Sequence, residues 1–239
     1  MSDQKNKIAI ITQPLGCNYG GLLQNYALQQ ILLRNNYVVE TIDHSSLFYA
    51  NVKEWLWKVR QNVKHLVLPR KFNSPGTYYK PSKKETARYS GKVQPFIDSY
   101  IHHTKTMRSH IGFSINQIAK SYDAYIIGSD QVWRPYYNKY FQKEMFLDFL
   151  KGKDIRRIAY AASFGTDTWE FPAPLTKKYA SLLKRFNLVT VREESAVGLC
   201  AKHFGVEASQ VLDPTMLLMQ EDYVKLVEDN NEPESPGKL

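Results

Sequence analysis

Cysteine is scarce in this sequence, and no stretch of it is apolar enough to cross a membrane. Only Cys17 and Cys200 occur among 239 residues, which excludes a disulfide framework and fits a reducing compartment. A membrane-spanning helix needs about 20 apolar residues in a row. The N-terminus also lacks the charged-then-apolar layout of a secretory signal. We therefore expect the protein to lie in the cytoplasm.

Several ligand-binding patterns are also missing. No cluster of Cys and His has zinc-ligand spacing, so we expect no metal site. The glycines follow neither the G-x-G-x-x-G nor the phosphate-loop pattern, so we expect neither a dinucleotide nor ATP, and no bound cofactor. The net charge is +9, yet no nucleic-acid-binding motif accompanies it, and we expect no nucleic-acid partner.

Short apolar segments and helical periodicities alternate along most of the chain. This alternation predicts an α/β fold with a doubly wound, mostly parallel, Rossmann-like sheet. We expect one such domain over residues 1–228, with a basic helical insertion at about 45–112 and a disordered polar tail at 229–239. The predicted strands are residues 8–11, 37–42, 124–127, 157–162 and 188–191, and the predicted helices include 22–32, 93–100, 115–122 and 174–185.

The positive charge is concentrated in the predicted insertion, where thirteen Lys and Arg stand against three acids over residues 53–108. Over residues 48–68, apolar residues including Trp55 recur at helical spacing with basic residues between them, which predicts a basic amphipathic helix. Such a helix can lie on an anionic membrane, here the inner face, or pack on the domain with its basic face in water. Both interpretations stay open. Residues 69–85 are predicted to form a loop.

A glycine-rich turn follows the first predicted strand, and a helix begins directly after it. Gly16, Gly20 and Gly21 carry no side chain to keep a ligand away from the backbone. Unpaired N–H groups at a helix start attract anions and sugar hydroxyls. The alternative is that the glycines only let the strand and the helix pack closely. Cys17 lies in the same turn, but no His stands beside it as the base that a nucleophilic thiol needs.

Two further polar groups follow predicted strands, where open α/β sheets bind ligands. Gly128, Ser129 and Asp130 offer backbone space, a hydroxyl and a carboxylate to a sugar, and a helix N-cap is the alternative. Arg192 is suited to clamp a phosphate or a carboxylate. The alternative for Arg192 is an ion pair with one of the glutamates that follow it.

Five motifs stand in order along residues 7–220. They are GCNYGG (16–21) with QNYAL (24–28), YIIGSDQVW (125–133), YAASFG (160–165), VREES (191–195) and DPT (213–215). In this order and spacing they resemble the polysaccharide pyruvyl transferase family.

The resemblance implies an enzyme that moves the enolpyruvyl group of phosphoenolpyruvate onto two hydroxyls of a sugar, in a surface polysaccharide or its lipid-linked precursor, to form a ketal. It also implies two Rossmann-like domains facing a cleft, as in GT-B glycosyltransferases. Such chemistry needs cations for the donor's phosphate and carboxylate and an acid for its methylene carbon.

By the same resemblance, Asp130 and Arg192 are the expected catalytic residues, with Arg192 also binding the donor. The remaining expected substrate-binding residues are Gly16, Asn18, Tyr19, Gly20, Gly21, Gln24, Asn25, Gly128, Ser129, Gln131, Trp133, Ser163, Glu193 and Ser195.

The chain departs from the family pattern in length. Family members continue into a second domain with further donor-binding Arg and His residues, so an inactive, truncated form is one expectation. Two alternatives to the pyruvyltransferase stay open. One is a GT-B-like glycosyltransferase that uses a nucleotide sugar, and the other is a non-catalytic module that binds a glycan or a membrane.

Overall fold

The computed structural model describes residues 6–16, 18–44, 83–105, 121–138 and 141–228, with only the backbone at 83–90 and 92. The predicted basic helix, the predicted tail and Cys17 lie outside these ranges. No helix within the described ranges is long and apolar enough to span a bilayer.

The centre of the fold is a six-stranded sheet in which every neighbouring pair is parallel. The order is β2-β1-β3-β4-β5-β6, which confirms the predicted α/β Rossmann-like fold. The strands are β1 (Lys7–Ile11), β2 (Val38–Thr41), β3 (Ala124–Ile127), β4 (Arg156–Ala162), β5 (Leu188–Val191) and β6 (Ser209–Gln210). Because β1 has β2 on one side and β3 on the other, the connections diverge beyond its end, which is where such sheets bind ligands.

Helices and short helical turns connect the strands. Residues 83–85, which the sequence predicted as a loop, are helical. They form the first turn of the helix α2 (Lys83–Tyr100), which begins before the apolar residues from which the helix was predicted. The helix predicted at 115–122 lies mostly outside the described residues, and residues 121 and 122 are not helical. The helices are α1 (Tyr19–Arg34), α2 (Lys83–Tyr100), α3 (Ala173–Leu183), α4 (Glu194–Leu199) and α5 (Gln220–Glu228). 

Helix α4 continues into a single π-helical turn, Cys200–Phe204, and ends at Gly205 in the left-handed conformation that glycine allows.

An aromatic cluster packs the segment after β3 against the rest of the core. Trp133 is fully buried and lies parallel to Phe146, with ring centroids 5.7 Å apart, and its indole N–H donates to the carbonyl of Met145. Phe146 in turn stacks on Tyr179 of α3 at 4.3 Å. Aromatic packing of this kind stabilises beyond the area it buries. It fixes the turn that follows β3, which carries Asp130.

A bulge interrupts β4 near its end. Ala161 has φ of +47°, and the register with β5 shifts between Ala159 and Ala162. The buried Thr190 hydroxyl accepts a hydrogen bond from the Ala161 N–H at 3.1 Å and donates to the Ala159 carbonyl at 2.9 Å. The bulge redirects the chain toward Ser163, which lies beyond the carboxyl end of β4.

Candidate functional site

A cavity of about 320 Å³ opens between the turns that follow β1 and β3. This position matches the point where the connections of the sheet diverge. The lining residues are Gln13, Pro14, Asn18, Asp130, Gln131 and Tyr137.

A larger open cavity of about 470 Å³ lies near the beginning of β1 and β2. Its lining includes Lys7 and Glu40, which form an ion pair at 3.6 Å. It lies at the amino ends of the strands, whereas parallel sheets bind ligands at the carboxyl ends. We therefore place the candidate site at the smaller cavity.

A hydrogen bond joins the side chains of Asn18 and Asp130 at this cavity. Asn18 caps α1, with its side-chain oxygen accepting from the Gly21 N–H at 3.2 Å. Its Nδ2 donates to Asp130 Oδ2 at 2.9 Å, and the Gln131 N–H donates to Asp130 Oδ1 at 2.7 Å. Each carboxylate oxygen accepts one recorded bond and keeps a lone pair for a ligand hydroxyl.

The segment around Asp130 is a series of turns rather than the start of a helix. The helix-cap alternative for Ser129 and Asp130 is therefore wrong, because the buried Trp133 draws the chain inward before a helix can form. Gly128 has φ of +133°, and a Cβ at this position would lie 2.0 Å from the Tyr160 carbonyl oxygen. Glycine is required there by the close approach of β4.

Arg192 follows β5 and is held by two carboxylates. Its Nε donates to Glu193 Oε1 at 2.9 Å, and its Nη1 donates to Asp213 Oδ2 at 3.3 Å. Burial opposes its charge, but the two acidic partners outweigh this effect and raise the pKa of Arg192. The structure contains the ion pair between Arg192 and a following glutamate, which was the alternative drawn from the sequence. The Arg192 side chain is nevertheless 26% exposed.

Asp213 links Arg192 to α1 and to its own turn. Gln24 Nε2 donates to Asp213 Oδ2, the same oxygen that Arg192 uses. The other oxygen accepts from the Thr215 N–H at 3.0 Å and from its hydroxyl at 2.7 Å. One carboxylate thus receives four hydrogen bonds from three parts of the chain.

Ser163, after β4, extends the same network. Its hydroxyl donates to Glu193 Oε1 at 2.8 Å and accepts from the Gly165 N–H at 2.9 Å. The polar network therefore runs along the carboxyl edge of the sheet from β4 to β6. Ser195 lies exposed in the first turn of α4, and no contact joins it to this network in the described residues.

The Asp130 cavity and the Arg192 network lie on one edge of the sheet. Asp130 follows β3 and Arg192 follows β5, two strands away, and adjacent strands are about 4.8 Å apart, so β3 and β5 are separated by roughly 10 Å. Helix α1 connects the two groups, because Asn18 at its start contacts Asp130 and Gln24 contacts Asp213.

Five of the residues predicted to bind substrate are buried, and none of them lines the cavity: Asn25, Gly128, Ser129, Trp133 and Ser163. Trp133 belongs to the aromatic core. Asn25 is buried on the side of α1 that faces β2, and its Oδ1 accepts from the Thr41 hydroxyl at 2.8 Å. Ser129 is 2% exposed, and its hydroxyl has no hydrogen-bond partner among the described residues. Tyr19, by contrast, is 54% exposed at the first position of α1.

Sequence reasoning did not select Gln13 or Tyr137 as site residues. Gln13 donates to the Gln131 carbonyl at 3.1 Å across the cavity. Tyr137 is half exposed, with the Arg134 guanidinium 5.2 Å from its ring centre and Tyr136 packed edge-on at 5.5 Å. Gln13 follows β1, which is a usable signal, whereas Tyr137 lies in a turn without a repeat that marks it.

No group of three or more His, Cys, Asp or Glu side chains within the described ranges is arranged to hold a metal ion. Cys200 is buried, and burial raises the pKa of its thiol to about 12. A thiol in that environment stays protonated and is a poor nucleophile.

Fold and site together define a Rossmann-like α/β protein with a cavity where the connections of its sheet diverge and an arginine-centred network beside it. The model of the polysaccharide pyruvyl transferase family matches residues 18–237. The chain therefore belongs to this family of transferases, as the sequence motifs indicated. No curated protein matches it.

Proposed function

We propose that this protein transfers the enolpyruvyl group of phosphoenolpyruvate to a sugar of a surface polysaccharide, or of its lipid-linked precursor, to form a pyruvate ketal. Two sugar oxygens form bonds to carbon 2 of the donor, and the bond from that carbon to the phosphate oxygen breaks. Of the two hydroxyl protons, one ends on the donor's methylene carbon, and the other leaves with phosphate. Membership of the family supports this reaction.

In this proposal the cavity between β1 and β3 takes the acceptor sugar. Asp130 accepts a hydrogen bond from the reacting hydroxyl and receives its proton. Asn18 holds the carboxylate by the bond to Oδ2. Tyr137 presents an exposed ring at the wall of the cavity, against which a sugar face can pack.

Arg192 binds the anionic groups of the donor and stabilises the charge that develops on the leaving phosphate. The observation that carries the proposal is the arrangement of Asp130 and Arg192 on one edge of the sheet, joined through α1. A donor and an acceptor bound at these two places would meet in the space between them. In this proposal the sheet is one half of a GT-B-like architecture.

The test is a thermal-shift titration with phosphoenolpyruvate on the wild type and on Arg192→Lys. A ligand at 100 times its dissociation constant adds about 2.7 kcal/mol to the free energy of unfolding, so the melting temperature should rise. Lysine keeps the charge but not the two-pronged geometry, and we expect the shift to fall at least severalfold. Arg156→Ala is the control, because Arg156 is exposed at the first position of β4, at the amino end of the sheet and opposite to the site.

The donor role of Arg192 would be contradicted if the wild type showed no shift, or if Arg192→Lys showed the same shift as the wild type.

One observation favours a second candidate, a non-catalytic glycan-binding module. Glu193 and Asp213 together outweigh the charge of Arg192, which opposes anion binding. A cavity that binds sugars without any response to phosphoenolpyruvate would support this candidate. A shift with a uridine diphosphate-sugar would instead support a glycosyltransferase.

A further inference from the structure

We propose that Asp213 is a positioning residue for the transfer, acting through Arg192. It fixes the guanidinium in the orientation that receives the donor, and it ties that orientation to α1. This inference rests on the proposed function in one respect, namely that Arg192 binds the donor.

The carboxylate of Asp213 is the junction of three elements. It joins the residue after β5, Arg192, to Gln24 in the second turn of α1 and to Thr215 in the turn Pro214–Leu217. Its side chain is 17% exposed, so these bonds compete little with water. Hydrogen bonds to a charged group contribute more to stability than hydrogen bonds between neutral groups.

The backbone that carries Asp213 is itself held on both sides. Before it, the Tyr160 hydroxyl donates to the Leu212 carbonyl at 3.2 Å. After it, the Tyr223 hydroxyl of α5 donates to the Thr215 carbonyl at 2.6 Å. Pro214 is buried, and the turn packs against α1. The carboxylate is therefore a fixed reference point, to which the longer side chain of Arg192 adjusts.

The two carboxylates leave the guanidinium with one orientation. Nε is bonded to Glu193 and Nη1 to Asp213, so the planar group cannot rotate without breaking a bond. Arginine has five N–H groups, and these are its two recorded bonds within the described residues. The two N–H groups of Nη2 make no recorded bond within the described residues and remain available to a phosphate or a carboxylate.

Removing the negative charge of Asp213 changes the donor affinity in a direction that depends on its role. If Asp213 only competes with the donor for Arg192, removing its charge strengthens donor binding. If it positions Arg192, the same change weakens donor binding, because a mobile guanidinium loses entropy when it binds. The two roles predict opposite outcomes for one substitution.

The experiment measures phosphoenolpyruvate affinity by calorimetry for the wild type, Asp213→Asn and Asp222→Asn. The asparagine at 213 places an amide donor against other donors and removes the charge, and we expect about tenfold weaker binding. Asp222→Asn is the matched control, because Asp222 pairs with Arg34 at 3.1 Å between α5 and α1 and has no recorded bond to Arg192, Gln24 or Thr215. We expect its affinity to stay within twofold of the wild type.

A double-mutant cycle separates positioning from a general loss of structure. In the Arg192→Lys background, Asp213→Asn should change the affinity by less than twofold, because its effect passes through the guanidinium. A full tenfold loss in both backgrounds would overturn the inference, and so would tighter binding by Asp213→Asn alone.

A second measurement does not need the donor. The rotation rate of the Arg192 guanidinium about its Nε–Cζ bond can be followed by nitrogen NMR, with the signal assigned by its loss in Arg192→Lys. We expect rotation at least fivefold faster in Asp213→Asn than in the wild type or Asp222→Asn. If the wild type binds no phosphoenolpyruvate, the proposed function fails, and this rate alone decides whether Asp213 positions Arg192. An unchanged rate would overturn the inference.

Discussion

Two adjacent glycines at the start of α1 have different surroundings although they look alike in the sequence. A Cβ on Gly20 would meet only Asn18 Oδ1, at an ordinary 3.6 Å. A Cβ on Gly21 would lie 2.9 Å from Asn18 Nδ2 and 3.1 Å from Asp130 Oδ2. The second glycine therefore leaves room for the bond that orients Asp130.

We expect Gly20→Ala and Gly21→Ala to differ in stability. Alanine favours a helix over glycine by roughly 0.5–1 kcal/mol, so Gly20→Ala should raise the free energy of unfolding. In Gly21→Ala the Asn18–Asp130 bond must shift, and we expect the gain to disappear or become a loss of about 1 kcal/mol. Urea denaturation measures both. Equal stabilisation by the two substitutions would contradict the packing described here.

Local pattern indicated only part of the candidate site. Asp130 and Arg192 follow apolar strands, and the position of a polar residue after a strand predicts that it lies at the carboxyl edge, whereas Asn18 was expected through the family resemblance. The partners of these residues were not predictable in this way. Gln24 and Asp213 are 189 residues apart, and no local spacing indicates that they bond.

At the scale of the element, the bulge in β4 depends on one side chain of β5. Thr190 is buried and bonds both Ala159 and Ala161. A buried N–H that loses its acceptor costs about 1–3 kcal/mol. The bulge carries the chain to Ser163 and so to the Arg192 network.

Thr190→Val should therefore destabilise the protein, because valine has the same shape but no hydroxyl. We expect a loss of about 1–3 kcal/mol in the free energy of unfolding. Thr190→Ser is the control, since it keeps the hydroxyl and removes one methyl group, at a cost of about 0.8 kcal/mol. Chemical denaturation compares the two. A valine variant at least as stable as the serine variant would refute the role of these bonds.

Strands were easier to predict than the segments between them. Four apolar residues in a row at 124–127 indicated β3 correctly, because a strand covered on both faces needs no polar alternation. The turns after it were expected as a possible helix start, and the burial of Trp133 overrides that local preference. The bulge at Ala161 has no sequence signal, because alanine does not favour a positive φ.

At the scale of the whole molecule, the strand order brings distant residues together. The sequence predicted a parallel sheet but not that β3 lies beside β1, and this neighbourhood creates the cavity between Gln13 and Asp130. The order of the strands depends on which faces of the helices cover the sheet. The periodicity of one segment does not indicate which strand lies beside it.

The carboxyl edge of the sheet also contains a buried imidazole. His44 follows β2, is 3% exposed and lies 4.8 Å from the ring of Phe141. One ring nitrogen, Nε2, is 2.8 Å from the Thr12 carbonyl, so the ring proton lies on Nε2. Nδ1 has no partner in the part of the chain that the structure describes. Burial lowers the pKa of His44, against the opposing effects of the Thr12 bond and of Asp43.

This lowered pKa makes the stability of the whole protein depend on pH below neutrality. The unfolded chain protonates His44 near pH 6.5, whereas the folded protein does so only at lower pH. Stability is therefore constant with respect to this group above about pH 6.5 and falls as the pH drops below that value, by at most about 1.4 kcal/mol per pH unit. His44→Gln keeps a donor for Thr12 and does not titrate, so its free energy of unfolding should decline less between pH 7 and pH 5. Parallel curves for His44→Gln and the wild type would show that His44 does not remain neutral in the fold.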